Sequence, residues 1–299
     1  MEAEVIDLKF QGHERAIAAF LIRGPEGVFL IESGPESCRD RLLSELNARG
    51  IAPSDLKGLF VTHIHLDHAG AAGWFAGQGV PVYVHPKGAK HLVAPEKLEA
   101  SARQVYGASF DALWGGLAPA PEESVHILED GEIAELAGLK VLAIDTPGHA
   151  FHHLAYAIDD CVFTGDAAGA RIDDSGFISV TSAPPQFHLE HTLASIEKIR
   201  SQDPKALYLT HFGQVADPQQ HLSEYRDAVE LNAEFVRMRL EEKMDSDSLA
   251  IAYQAFVMEQ AFRHQLPRSQ WETIQAINGT GMCADGIRMY WERELAEQT

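Results

Sequence analysis

The stretch "VTHIHLDHAG", residues 61–70, places His63, His65, Asp67 and His68 within six positions. Imidazole and carboxylate groups are favoured ligands for divalent transition metals. His63 and His65 are two apart at the end of the apolar segment "LKGLFVTH". Alternate side chains of an extended chain point the same way, so both rings can reach one ion. Asp67 and His68 follow where the chain turns and can face a neighbouring point. An HxH pair alone recurs on solvated loops. HxHxDH directly after an apolar strand is a metal-binding pattern. Three later segments repeat the grammar of one ligand just after an apolar strand: "VLAIDTPGHA" brings His149, "CVFTGDAA" brings Asp166 and "ALYLTHFG" brings His211. Each has a small residue or a turn beside the ligand, which lets backbone approach a shared centre.

These residues need strands to carry them. "RAIAAFLIRG" and "GVFLIESG" are short apolar runs separated by Gly24, Pro25 and Gly27, a hairpin pattern. "ESCRDRLLSELNARG" reads as a helix, with Leu42, Leu43 and Leu46 on one face and Gly50 as the stop. "PVYVH" is a further strand ending at His85, and residues 86–119 read as helix and loop. A second β-rich section starts at "SVHILEDGEIAELAGLKVLAIDT" and closes with the helix "HLEHTLASIEKIRSQ" and the strand "KALYLTH". The order predicts two similar halves, each a sheet with helices outside. From about Asp217 no strand is expected. Leu222, Tyr225, Val229, Val236 and Leu240 mark a helical stripe. The expected division is an α/β domain over 1–216 and a helical C-terminal cap or subdomain over 217–299.

A chain of 299 residues with 45% apolar content can bury a substantial core. A net charge of −20 disfavours binding to nucleic-acid backbones. Apolar runs such as "AIAAFLI" are far shorter than the roughly 20 residues of a membrane span. Cys38, Cys161 and Cys283 lie far apart with no CxxC, which fits a reducing compartment. The acidic N-terminus lacks the basic and apolar regions of a signal peptide. The expectation is a cytoplasmic protein acting on a small molecule, without nucleic-acid or membrane partners. A homodimer is left open.

The segments "THIHLDHAG", "TPGH", "FTGD" and "LTHFG", framed by "GVFLIESGP" and "LEDGE", resemble the metallo-β-lactamase fold superfamily over roughly residues 5–215. The resemblance implies a four-layer αββα sandwich with a two-metal site at one edge of the sheets. By position, His63, His65 and His149 would hold the first ion, Asp67, His68 and His211 the second, and Asp166 would bridge them. Zinc suits this donor set first, with iron and manganese also used in the family. Two ions about 3.5–4 Å apart would share a water, lower its pKa toward about 7 and deliver hydroxide to a carbonyl or phosphorus centre. Asp67 would orient that nucleophile, and one metal would stabilise the oxyanion.

Within the superfamily the chain is similar to glyoxalase II, sharing THxHxDH, the bridging aspartate and a helical tail. The segments "AAGARIDD" and "FGQVADP" depart from that enzyme's glutathione contacts. A glyoxalase II-like hydrolase of another small ester, thioester, lactone or phosphoester is therefore expected. The alternatives are a dioxygenase-like redox protein on the same fold and a non-catalytic binding module. Glu32 stands where the family usually has Asp, and either supports the metal site or faces water. Arg171 is the candidate contact for a substrate anion, because a guanidinium matches carboxylate and phosphate geometry. His85, His152, His153, His188 and His191 are further histidines with either a supporting or a plain structural role. Trp271, Tyr290 and Trp291 either roof the pocket or pack in the core.

Overall fold

The computed structural model describes residues 1–297. Two six-stranded sheets form its centre. The first runs, in spatial order, β1 (Glu2–Asp7), β2 (Ala18–Gly24), β3 (Gly27–Ile31), β4 (Leu56–Phe60), β5 (Val82–Val84) and β6 (Val125–Ile127). The second comprises β7 (Ile133–Leu136), β8 (Leu139–Asp145), β9 (Leu154–Ile158), β10 (Cys161–Gly165), β11 (Ala206–Leu209) and β12 (Gly213–Val215), also neighbouring in chain order. The expected hairpin is β2–β3, with Phe20 opposite Ile31 and Gly24 opposite Gly27. From β3 to β6 the pairing is parallel. Parallel neighbours need crossover connections. These contain α1 (Arg39–Ala48), then α2 (Leu66–Ala69) and α3 (Ala72–Gly77), then α4 (Pro86–Val93), α5 (Glu96–Tyr106) and α6 (Phe110–Trp114). The second sheet is antiparallel except at β10–β11, where α7 (Leu189–Ser201) makes the crossover.

Period-two alternation builds the layers. Ala18, Phe20 and Ile22 of β2 and Phe29 and Ile31 of β3 pack with Ala143, Tyr156, Phe163 and Tyr208 of the second sheet. The intervening Ala19, Leu21 and Leu30 belong to the outer core beneath the helices. This gives the αββα order. Ring contacts lock the inter-sheet layer, with Phe20 edge-on to Phe163 at 5.2 Å and Phe60 edge-on to Tyr156 at 5.1 Å.

The sequence pattern and the structure part in three places. β6 belongs to the first sheet, although it opens the second β-rich section along the chain. Its three residues, half-buried Val125 and exposed His126 and Ile127, carry no mark of which sheet it joins. β1 and β12 each lie at one edge of their sheet, and their polar residues leave only a weak apolar signal.

After Asp217 the described chain is helical: α8 (Pro218–Glu241), α9 (Ser246–Arg263), α10 (Arg268–Ile277) and α11 (Thr280–Glu297). Asp217 caps α8 by accepting from Gln220 N, and Asp245 caps α9 by accepting from Ser248 N. Among the described residues no helix is long and apolar enough to cross a membrane. The helices share the outer core and grip the loop that follows β10. Asn278 Nδ2 donates to Ser179 Oγ at 2.7 Å and to Val180 O at 2.8 Å, and Tyr225 Oη lies 3.2 Å from Thr181 Oγ1. Tyr290 is buried and donates to Glu190 Oε1 at 2.6 Å, while Trp291 Nε1 donates to Ala233 O at 2.8 Å. Both rings tie helices together.

Candidate metal centre

The seven residues singled out as ligands converge at one edge of the sandwich. β4 ends at Phe60, and the next residues are held against the second sheet. Tyr156 Oη donates to Val61 O at 2.9 Å and Leu154 N to Thr62 O at 2.7 Å. His63 sits in this loop, His65 caps the start of α2, and Asp67 and His68 lie on α2. His149 precedes β9, Asp166 follows β10 and His211 follows β11. Two glycines of the motifs allow close approach. Gly165 has φ +49°, and a Cβ there would lie 2.5 Å from Thr62 Oγ1 and 2.7 Å from His153 Nε2. Gly148 has φ +134°, and its Cβ would meet Thr192 Oγ1 at 2.4 Å.

Three groups have donor atoms all within 4.8 Å of one another: His63, His65 and His149; Asp67, His68 and His211; and His63, His68 and Asp166. In the first group His65 Nδ1 lies 3.0 Å from His63 Nε2 and 2.9 Å from His149 Nε2. In the second, His211 Nε2 lies 3.4 Å from Asp67 Oδ2. Asp166 faces both sides. Its Oδ2 is 3.2 Å from His149 Nε2, and its Oδ1 is 3.5 Å from His68 Nε2 and 3.4 Å from His211 Nε2.

The far sides of the rings decide which nitrogen is free. His149 Nδ1 donates to Thr181 O at 3.0 Å and His211 Nδ1 to Ala16 O at 2.7 Å. His68 Nδ1 donates to Glu32 Oε1 at 2.9 Å. A carbonyl or carboxylate only accepts, so the proton sits on Nδ1 and the Nε2 lone pair points inward. Glu32 is fully buried and also accepts from Thr62 N at 3.2 Å, Thr62 Oγ1 at 2.6 Å and Thr210 Oγ1 at 3.1 Å. It therefore supports the site and does not face water.

Electrostatics separate the two sides. Burial, reinforced by neighbouring imidazoles, pushes His63 and His65 well below the usual histidine range and keeps them neutral. Burial opposes charge at His68 and His211, but the carboxylates around them raise both, so a proton and a metal cation would compete for their inward Nε2 atoms. Burial also opposes ionisation of Asp67, yet His68 and His211 bring its carboxyl down to about 2. Burial likewise opposes ionisation of Asp166, but His149, His68 and His211 hold its carboxyl well below the usual aspartate range. The donor set fits a metal. His68 Nε2 and Asp166 Oδ1 are buried without hydrogen-bond partners, each aimed at the common centre. Such orphaned groups are costly unless something binds them.

Other expectations separate here. His153 supports the site: its Nε2 accepts from Asp166 N at 3.1 Å, and its Nδ1 lies 2.8 Å from Thr146 Oγ1. His152 is buried beside His65 with Nδ1 unpartnered. His85 caps α4 by accepting from Lys87 N, and its other nitrogen lies 3.4 Å from Asp145. His188 and His191 stack on each other at 3.9 Å and belong to none of the three ligand groups. The Arg171 side chain lines a separate hollow with Arg15, although its backbone N–H donates to His211 O. Thr62, Thr210, Thr181 and the Ala16 carbonyl were not among the candidates. Thr62 and Thr210 had a signal, each standing directly before a candidate ligand histidine in "VTH" and "LTH". The carbonyl contacts had none.

The match to known proteins agrees with this geometry. The model of the "Metallo-beta-lactamase superfamily" matches residues 14–211. The metallo-beta-lactamase fold-containing protein ST1585 of Sulfurisphaera tokodaii is 28% identical over 185 residues, covering 59% of this chain and 69% of that protein. The atrochrysone carboxyl ACP thioesterase of Aspergillus fumigatus is 26% identical over 243 residues, covering 78% of this chain and 64% of the thioesterase. Among solved structures, the metallo-beta-lactamase family protein TTHA1429 of Thermus thermophilus covers 98% of this chain and 94% of its own, with a TM-score of 0.67 and 21% identity. A fold of two facing sheets, clustered histidines and aspartates at their edge, and a family match over most of the chain lead to one conclusion: this chain belongs to the metallo-β-lactamase superfamily.

Proposed function

We propose that this chain is a metal-dependent hydrolase that holds two divalent ions, zinc first by donor chemistry, and cleaves a small ester or thioester. Lactones and phosphoesters are the next classes to test. The observation that carries the reading is Asp166, whose two oxygens face opposite histidine groups. His63, His65 and His149 would hold one ion, Asp67, His68 and His211 the other, and Asp166 would touch both. Bound divalent metal supplies Lewis acidity toward a carbonyl oxygen and ionises water near neutral pH. The chain's own part is positional. Thr181, Ala16 and Glu32 keep the Nδ1 protons of three ligands outward, so their Nε2 atoms stay available. Asp67 stays ionised and would accept the hydrogen bond that orients the attacking water. A thioester is placed beside an ester because the thioesterase relative covers 78% of this chain.

Metal analysis after supplemented purification is expected to find roughly two transition-metal ions per chain. A panel of esters, thioesters, lactones and phosphoesters, run with zinc, manganese and iron, should then show turnover that Asp166→Ala abolishes. Unchanged turnover in that variant, or a protein that takes up no metal, would overturn the reading. Iron with oxygen uptake in place of hydrolysis would favour the redox alternative.

A further inference from the structure

We propose that Arg15 and Arg171 form a carboxylate-binding site in the hollow beside His211. Among the described residues, every other arginine gives its guanidinium to a carboxylate or, for Arg293, to the carbonyls of Pro185 and Phe187. Arg15 and Arg171 alone have neither kind of partner, and both line the same cavity of about 320 Å³. In a chain carrying a net charge of −20, two uncommitted guanidiniums in one hollow are not explained by general surface pairing. An unpaired guanidinium keeps all its donors for a ligand.

The placement ties the hollow to the metal centre. Arg15 lies over the Phe212 ring, 5.6 Å from its centroid. Phe212 follows His211, and its N–H donates to Arg171 O. Arg15 also precedes Ala16, whose carbonyl receives the His211 Nδ1 proton. Both arginines thus flank the groups that orient one ligand.

The charge around them selects the ligand. Asp173, Asp174 and Asp217 also line the hollow. Asp173 Oδ1 is engaged by Ser175 N and Oγ, and Asp217 Oδ1 by Gln220 N. Three carboxylates around two guanidiniums oppose a dense dianion such as a phosphate more strongly than a singly charged ligand. A singly charged, planar carboxylate fits, because its two oxygens match the guanidinium fork. That carboxylate is either the distal end of the substrate or a separate small acid. The first case rests on the hydrolase reading, whereas the site itself does not.

The test is a butyrate titration of the metal-loaded wild type, of Arg15→Gln/Arg171→Gln and of Asp166→Ala, followed by saturation-transfer NMR. The double variant should weaken butyrate by at least about tenfold, the scale of a lost charge-assisted pair. The wild-type affinity should persist in Asp166→Ala, which removes a metal-site group. Equal binding by wild type and double variant would overturn the proposal, and so would phosphate binding more tightly than butyrate. A failed hydrolase reading would appear separately, as absent turnover with butyrate binding intact. To identify the source, KM is compared for 4-nitrophenyl hydrogen succinate and neutral 4-nitrophenyl butyrate. A KM rise in the double variant confined to the charged ester assigns the site to substrate. Competition by butyrate with no such split assigns it to a separate acid.

Discussion

Glu32→Gln is the sharpest probe of how the centre is held. Every hydrogen bond at the Glu32 carboxylate is received: three at Oε1, from Thr62 Oγ1, Thr210 Oγ1 and His68 Nδ1, and one at Oε2, from Thr62 N. An amide keeps only one oxygen. Its best placement leaves that oxygen at Oε1 and turns the NH2 group toward Thr62 N, donor against donor in a fully buried place. An unsatisfied buried donor costs about 1–3 kcal/mol, and the remaining bonds fall from about 1.5–3 to about 0.5–1.5 kcal/mol each when the charge is lost. With three bonds remaining at Oε1, the sum is a loss of about 4–7 kcal/mol, a large part of the total stability of an ordinary domain. Loosening the acceptor behind His68 should also weaken metal binding about 10–100-fold. Urea unfolding of the metal-free protein reads the first number, and competition against a chromophoric chelator reads the second. Glu32→Asp keeps the charge with a shorter reach and should fall between wild type and Glu32→Gln in both assays. If Glu32→Gln unfolds within about 0.5 kcal/mol of wild type and holds metal as tightly, Glu32 is not the anchor described above.

Further outcomes follow from the same contacts. His153→Ala strips the acceptor from Asp166 N, so turnover should drop at least about tenfold with little change in KM; an unchanged kcat would show that Asp166 is placed without it. Gly165→Ala puts a Cβ at φ +49° against Thr62 and His153, and should cost about 2 kcal/mol or more in thermal or urea unfolding; a neutral effect would refute the close approach. At Glu4, burial opposes ionisation, but Arg23 and Arg49 overcome it and hold the carboxyl below its usual 4.5. A depressed folded pKa contributes stability above the unfolded value that is lost as pH falls through the folded one. Glu4→Gln should therefore cost about 0.5–1 kcal/mol at pH 7, with the difference shrinking as the pH falls below 4.5. A gap that stayed constant to pH 3 would refute the ion-pair account.

Much of this protein was legible in the chain because its signals are local. The alternation in "AAFLIRG" and "GVFLI" depends only on the two-residue period of a strand, and it places β2 and β3 between two layers. The candidate ligands are readable for a similar reason, since each terminates an apolar strand or opens the turn after one, a position visible without knowing any partner. The two sheet-and-helix halves follow from such segments, whereas the sandwich and the grouping of the seven side chains came with the family resemblance. What the chain alone left undecided depends on residues far apart. β6 joins the first sheet because its neighbour in space is β5, a pairing its own short pattern does not encode. Glu32 was balanced between support and solvent until His68, Thr62 and Thr210 closed around it. His149 and His211 owe their free nitrogens to the carbonyls of Thr181 and Ala16, and a backbone carbonyl looks the same at every position in a sequence. Arg15 carries no signal in the sequence, because being unpaired is a property of surroundings. Residue type and period determined which groups could do chemistry. Tertiary contacts decided which atom of each group is presented, because tautomer, burial and charge pairing are set by neighbours that only folding brings together.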